Sequence, residues 1–135
     1  RPEREMKVSA VFAMGRNGNP RWTEILRLEL LNADRDIQRE AIWAAGELEL
    51  EELGKDVWRL TYDDDQETKL NAIIALGQTG WEGAFERLEE LTTDLDPEVA
   101  QIAEAALEDW FFLDEMRRQM GELEPDDWDE EDLFD

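Results

Sequence analysis

The 135-residue sequence contains no cysteine and no histidine. Without cysteine there is no disulfide framework, no thiolate metal site and no cysteine nucleophile. Without histidine the chain lacks the commonest general base and the commonest side-chain metal ligand. The absence of cysteine is compatible with a reducing compartment, and we expect a cytoplasmic protein with no cofactor.

Long apolar runs and basic residues are also scarce. No apolar run approaches the roughly 18 residues that a membrane-spanning helix needs. Lys and Arg number 14 against 37 Asp and Glu, so the net charge is -23. Such a chain repels phosphate backbones and anionic lipid. We therefore expect neither nucleic acid nor membrane as a partner, and we predict a protein partner with a basic surface.

The chain repeats itself, with a repeat unit of about 31 residues. Two alanine series, one glycine series and one aspartate series share this period, and chance is a poor explanation for such agreement. The members are Ala10, Ala41, Ala72, Ala103; Ala13, Ala44, Ala75, Ala106; Gly15, Gly46, Gly77; and Asp34, Asp65, Asp96.

Each unit begins with a predicted helix A. Alanines at i and i+3 lie on one helical face and allow a neighbouring helix to approach closely. The aspartates precede this face as N-caps, and Pro97 occupies a first helical position. The glycine that follows the second alanine predicts the helix C-terminus, because glycine adopts a left-handed conformation at little cost.

A second helix, helix B, follows in units one to three, near 21–32, 50–62 and 81–93. Leu26, Val57 and Leu88 share one position of its apolar stripe. The spacing of this stripe is helical, and no alternating strand pattern is present. The sequence therefore predicts an all-α protein.

Paired helices of this length, with Ala-x-x-Ala-x-Gly in the first and Asp before it, resemble HEAT repeats of the type found in phycobilisome lyases. The resemblance covers residues 3–120. It implies a right-handed α-solenoid of about four two-helix repeats, with the B helices on the concave side. We place the domain at 1–121, with units at 3–33, 34–64, 65–95 and 96–121, followed by an acidic aromatic tail at 122–135.

The fourth unit departs from the pattern. Glu104 replaces the β-branched Val or Ile of the other units, and Glu108 replaces the glycine. A polar outer face is typical of a terminal unit, and the lost glycine predicts one long or kinked helix over about 97–120. The first unit is apolar instead, which predicts further repeats before Arg1. The alternative is a complete four-unit protein.

The B helices supply a candidate binding surface. Three rows of positions, each spaced by one repeat, should point away from the core: Glu24, Lys55, Glu86; Arg27, Trp58, Glu89; and Leu31, Tyr62, Thr93. From these we predict a partner-binding set of Arg27, Leu31, Lys55, Trp58, Tyr62 and Glu89. Trp58 and Tyr62, on one face of the same helix, have the composition of an interface anchor. The alternative is that Trp58 packs between adjacent B helices.

Residues 122–135 contain nine acidic residues and no Lys or Arg, so they cannot build a core of their own. Trp128, Leu133 and Phe134 form a second predicted partner-binding set within this tail. The alternative is a solubilising C-terminus that docks on its own last repeat.

The sequence favours an interaction module over an enzyme. Asp63, Asp64 and Asp65 lack the spacing and glycine of a calcium loop, so a cap and a solvated loop explain them and no metal is expected. No carboxylate pair stands out for acid-base catalysis. We predict a non-catalytic scaffold or adaptor, a fragment of a longer repeat protein. The alternative implied by the resemblance is a chromophore lyase or another enzyme-auxiliary subunit.

Overall fold

A computed structural model describes residues 21–121 of the chain. This span contains six α helices and no strand, which confirms the all-α prediction. The helices are α1 (Arg21–Glu29), α2 (Arg35–Glu47), α3 (Gly54–Leu60), α4 (Gln66–Thr79), α5 (Ala84–Leu91) and α6 (Pro97–Gly121), with a 3₁₀ turn at Glu51–Leu53 leading into α3.

The helices form two layers with the core between them. The predicted A helices α2, α4 and α6 pack side by side in chain order, and the B helices α1, α3 and α5 pack along them. Small side chains on the A helices make this close approach possible. The repeated positions Ala41, Ala72 and Ala103 have no exposed surface, and neither do Leu26, Val57 and Leu88.

The predicted N-caps are confirmed at the three A helices that lie within residues 21–121. Each aspartate carboxylate accepts a hydrogen bond from a main-chain amide of the first turn, which otherwise has no helical partner. The pairs are Asp34 with the amide of Asp36 at 2.9 Å, Asp65 with Thr68 at 3.0 Å and Asp96 with Glu98 at 2.9 Å.

A second turn motif repeats with the same period, just before each cap. The side chains of Asn32, Asp63 and Asp94 accept from the amides of the three capping aspartates at 2.8, 2.8 and 2.9 Å. Asn and Asp favour such turns because their short side chains bond to the main chain two residues on. The position was visible in the alignment of the units but was not predicted.

Asp65 gives the fold a pH-dependent contribution. The hydrogen bond from the Thr68 hydroxyl, followed by the one from the Thr68 amide, holds the pKa of this carboxyl below its usual value. A folded-state pKa below the unfolded one contributes stability that is present above the unfolded value and is lost as the pH falls through the folded value.

We expect Asp65→Ala to lower the urea midpoint at neutral pH, because the first turn of α4 loses its cap. The difference in urea midpoint between this variant and wild type should become smaller as the pH falls into the range where the Asp65 carboxyl protonates. Urea unfolding followed by circular dichroism at neutral and acid pH tests this. Asp64→Ala, an exposed neighbour, is the control and should track wild type. A deficit of equal size at both pH values would contradict an ionised cap.

The prediction that Gly46 and Gly77 end their helices is wrong. Both lie inside helices, since α2 continues to Glu47 and α4 to Thr79. The left-handed residues come later, at Glu49 with φ 51° and Gly80 with φ 67°. These two positions are themselves one repeat apart. The third glycine of the series, Gly15, lies outside the described residues.

Close helix contact explains why these positions are glycine. A Cβ on Gly77 would lie 3.0 Å from the Cα of Ala106 and closer still to its carbonyl oxygen. A Cβ on Gly46 would lie 3.1 Å from the Cα of Ala75. Each glycine therefore allows the main chain of the next A helix to approach closely. Close approach, like a left-handed conformation, is a situation that favours a residue without a side chain.

The B helices are shorter than predicted. Their last residues leave the helix through turns whose hydrogen bonds are tighter than those of an α helix, such as Thr61 N to Trp58 O at 3.1 Å and Leu31 N to Leu28 O at 3.1 Å. The start of the third B helix is also a turn, in which Ala84 N donates to Trp81 O at 3.0 Å.

Helix α6 confirms the predicted long C-terminal helix, and Glu104 and Glu108 are exposed on it. The second half of α6 makes hydrogen bonds to the turn that follows α4. Arg117 donates to the carbonyl oxygens of Thr79 at 3.1 Å and Gly80 at 2.8 Å. A cation at this point satisfies the last carbonyls of α4 and complements the helix dipole.

Candidate functional site

The nine positions proposed on the B helices form one surface, here called the B-helix surface. All nine are exposed or half-buried, so the helical periodicity placed them correctly outside the core. They are Glu24, Arg27, Leu31, Lys55, Trp58, Tyr62, Glu86, Glu89 and Thr93. Leu31 is 72% exposed.

Arg27 is committed to contacts within the protein. Its Nε donates to Asp56 Oδ2 at 3.3 Å and its Nη2 to the carbonyl of Glu52 at 3.2 Å, while Nη1 pairs with Glu24. The hydrogen bond to Glu24, supported by the one to Asp56, raises the pKa of Arg27. Arg27 therefore connects α1 to the next unit. Its positive charge is neutralised by Glu24 and Asp56 at the surface that a partner would contact. Lys55 and Glu89 are exposed.

Trp58 and Tyr62 form an aromatic pair that is partly buried and partly exposed, and its role as an interface anchor stays a prediction. Trp58 is half-buried and packs against the core, as a residue between B helices would. It also meets Tyr62 edge-to-face, with ring centroids 5.3 Å apart and an interplanar angle of 76°. Tyr62 is 53% exposed. Trp58 is therefore the buried member of the pair and Tyr62 is the exposed one.

Arg87 holds this pair in place and was not predicted. The side chain is buried, donating from Nε to Thr61 Oγ1 at 3.0 Å and from Nη2 to the Thr61 carbonyl at 3.3 Å. Its Cζ lies 3.7 Å from the centroid of the Tyr62 ring, a cation–π contact. Arg87 also pairs with Glu90 at 3.0 Å. The equivalent positions of units one and two are Ile25 and Asp56, so periodicity carries no signal for it.

A surface pocket of about 350 Å³ opens beside these side chains. It is here called the aromatic pocket, and it is lined by Trp58, Tyr62, Trp81, Gly83, Glu86, Arg87 and Glu90. Three of its walls are aromatic rings and two are carboxylates. Aromatic and Arg side chains are those that dominate interface energetics, and this pocket contains both.

Trp81 was also missed as a site residue. It lies in the turn before α5, where glycines make room for its ring. A Cβ on Gly83 would lie 2.5 Å from Trp81 Cη2, and a Cβ on the buried Gly54 would collide with the other end of the side chain. The Trp81 carbonyl accepts from the indole of Trp110 at 2.8 Å. Of these two glycines, only Gly83 lies near Trp81 in the sequence, whereas Gly54 reaches it through the fold.

Helix α6 carries a second exposed apolar surface, here called the α6 stripe. Its members are exposed by 42–68% and are Phe111, Phe112, Met116 and Met120. The last three share one helical face, because each follows the previous one by a single helical turn. Phe112 and Leu113 also line a pocket with Glu47, Glu49 and Asp109. The sequence spacing contained this signal, although these residues were predicted only as part of a long helix.

The predicted tail residues and the acidic run at 63–65 add no side chain to the sites described above. Trp128, Leu133 and Phe134 lie outside the described residues. Asp63 pairs with Arg35 at 3.1 Å and Asp65 caps α4, so the acidic run serves the turn. Over residues 21–121, no group of three or more acidic side chains has a metal-binding arrangement. None of the helices in that span has the length and apolar character to cross a bilayer.

Comparison with known proteins agrees with the repeat pattern. A family model described as HEAT repeats matches residues 26–108, more than half of the chain. The match ends at the position where Glu108 replaces the repeated glycine. It does not distinguish the phycobilisome-lyase type, which stays a prediction. No curated protein matches the chain.

Proposed function

Because the chain belongs to the HEAT repeat family, whose members are generally protein-interaction scaffolds and typically not catalysts, we propose that it is a non-catalytic scaffold or adaptor. Its partner binds along the B-helix surface. In this proposal the domain spans 1–121 in four units and curves as a right-handed solenoid, with that surface on its concave side, as the resemblance implies.

The observation that carries the proposal is the aromatic pair at the centre of the surface. Trp58 is rooted against the core and Tyr62 is held by Arg87, so the exposed ring is positioned before any partner arrives. Interface hot spots are enriched in such residues, and a prepositioned ring loses little entropy on binding. Leu31 adds apolar area on the neighbouring unit.

Charge indicates the chemistry of the partner. The net charge is -23, and Arg27 is paired with Glu24 and Asp56. A basic surface on the partner would be attracted from a distance and would avoid the repulsion that an acidic one meets. The acidic, aromatic tail that contains Trp128 and Phe134 would extend the same preference.

No feature of residues 21–121 favours the alternative of a chromophore lyase or another enzyme-auxiliary subunit. Such a protein needs a deep site with polar groups free to act on a ligand. In the aromatic pocket, Arg87 and Glu90 are bonded to each other, and Arg87 is bonded to the fold. The proposal therefore includes no cofactor.

Site-specific photo-crosslinking tests the surface. A benzophenone amino acid replaces Leu31 on the B-helix surface or, as the matched control, Ile74 on the outer face of α4, which is 41% exposed. We expect a defined protein to be cross-linked from position 31 and not from position 74. Adding Tyr62→Asp should reduce the yield by about 30-fold, as for a hot spot of about 2 kcal/mol.

The partner is then identified by mass spectrometry and its binding is repeated with purified proteins. Equal cross-linking from positions 31 and 74 would overturn the proposal. A cross-linking yield from position 31 that Tyr62→Asp leaves unchanged would also overturn it.

A further inference from the structure

We propose that the aromatic pocket receives a cationic side chain, Arg or Lys, from the protein partner. This inference rests on the proposed function and names the chemistry of its central contact. Trp58, Tyr62 and Trp81 supply the walls, and Glu86 and Glu90 supply the negative charge.

The composition of the pocket matches a cation better than an apolar or anionic group. The face of an aromatic ring carries negative charge density, and Trp attracts cations most strongly. Glu86 and Glu90 are both exposed at this pocket. Arg87 neutralises Glu90 through a 3.0 Å ion pair, so Glu86 leaves the pocket with a net negative charge.

The protein already contains an example of this recognition. The Arg87 guanidinium lies 3.7 Å from the centroid of the Tyr62 ring while its Nη1 bonds to Glu90. A cation stacked on a ring and paired with a carboxylate of α5 is therefore a stable arrangement at this place. The indole rings of Trp58 and Trp81 and the Glu86 carboxylate offer the same combination of groups to an incoming side chain.

The pocket is also prearranged. Trp81 is confined by Gly54 and Gly83 and anchored through its carbonyl by Trp110. Trp58 packs against the core. Rings that are already ordered cost little further entropy when a ligand enters, so even one side chain can contribute measurable affinity.

Short peptides test the assignment directly on the full 135-residue chain. One glycine-serine peptide carries a central arginine, and its counterpart carries citrulline, which has the same shape without the charge. Binding is followed through the indole N–H signals of Trp58 and Trp81 in NMR spectra, assigned with Trp58→Phe and Trp81→Phe. We expect the arginine peptide to shift both signals and to bind about fivefold more tightly than the citrulline peptide.

Glu86→Gln keeps the shape of the pocket and removes charge. This substitution should weaken binding of the arginine peptide by about threefold and leave the affinity for the citrulline peptide unchanged. Glu104→Gln is the control for loss of one charge, because Glu104 is exposed on α6 and does not line the pocket. It should leave both affinities unchanged.

Equal binding of the two peptides, or shifts that avoid Trp58 and Trp81, would overturn the cation assignment. These outcomes are separate from failure of the proposed function. If cross-linking from position 31 still depends on Tyr62, the scaffold function stands and only the pocket chemistry is wrong. If the arginine peptide binds as expected but that cross-linking fails, the protein-binding function is the part that is lost.

Discussion

Trp110→Ala is expected to lower the free energy of unfolding by about 3–5 kcal/mol, the range for removing a large buried aromatic side chain. Trp110 is only 8% exposed. Its ring centroid lies 5.2 Å from that of Phe85 and 5.5 Å from that of Phe111, and its indole N–H donates to the Trp81 carbonyl at 2.8 Å. Alanine removes the packing and one of the two hydrogen bonds that the Trp81 carbonyl accepts, and the Ala84 amide supplies the other.

Urea unfolding followed by far-ultraviolet circular dichroism measures this loss through the helices themselves. Trp110→Phe should fall between alanine and wild type, because it keeps a ring and loses the hydrogen bond, which contributes about 1 kcal/mol. Phe112→Ala is the control on the same helix. Phe112 is 64% exposed, so its removal should cost less than about 1 kcal/mol. Equal losses for Trp110→Ala and Phe112→Ala would contradict the role of Trp110.

The same variant connects stability to the site. Trp110 holds the turn that positions Trp81, so Trp110→Ala should also move the indole signal of Trp81. A change confined to stability, with the Trp81 signal unmoved, would show that the glycines alone position that ring.

Gly77→Ala is expected to destabilise the protein by about 1–3 kcal/mol, although alanine is the better helix former by about 1 kcal/mol. The added Cβ would meet the carbonyl carbon of Ala106 at 2.9 Å and its Cα at 3.0 Å. These are main-chain atoms of α6, so α4 and α6 must move apart to accommodate the methyl group. The sign of the effect therefore reports the packing of one repeat on the next.

Two other glycines make matched controls. Gly46→Ala should cost less, since the first obstacle there is the end of the Gln78 side chain, which can move. Gly121→Ala has no atom within 4 Å of the new methyl group and should be neutral or slightly stabilising. Urea midpoints of the three variants give the order. A Gly77→Ala protein as stable as wild type would contradict the close approach of the A helices.

The caps were predictable from local chemistry. An aspartate before an apolar helical face satisfies first-turn amides in nearly any context, so Asp34, Asp65 and Asp96 needed no tertiary information. The long last helix was predicted correctly but for the wrong reason, because Gly46 and Gly77 do not end their helices and a glycine at position 108 would not by itself have ended α6.

The role of the repeated glycines was mispredicted because a missing side chain serves either a left-handed turn or a close neighbour. Gly46 and Gly77 serve the second use, and the turns after their helices contain Glu49 and Gly80 instead. Only the position of the next helix distinguishes these two uses.

The sequence by itself determined the architecture, because each unit exposes an apolar face that only a neighbouring unit can bury, and a constant repeat length imposes the same solution each time. The tertiary structure alone decided the aromatic pocket. The repeat placed Trp58 and Tyr62 on the surface, but Trp81 and Arg87 occupy positions that the other units fill differently. Periodicity therefore contains no record that these four residues come together. They meet because α3, the turn before α5 and α5 itself converge, with glycines placed where the Trp81 ring must fit.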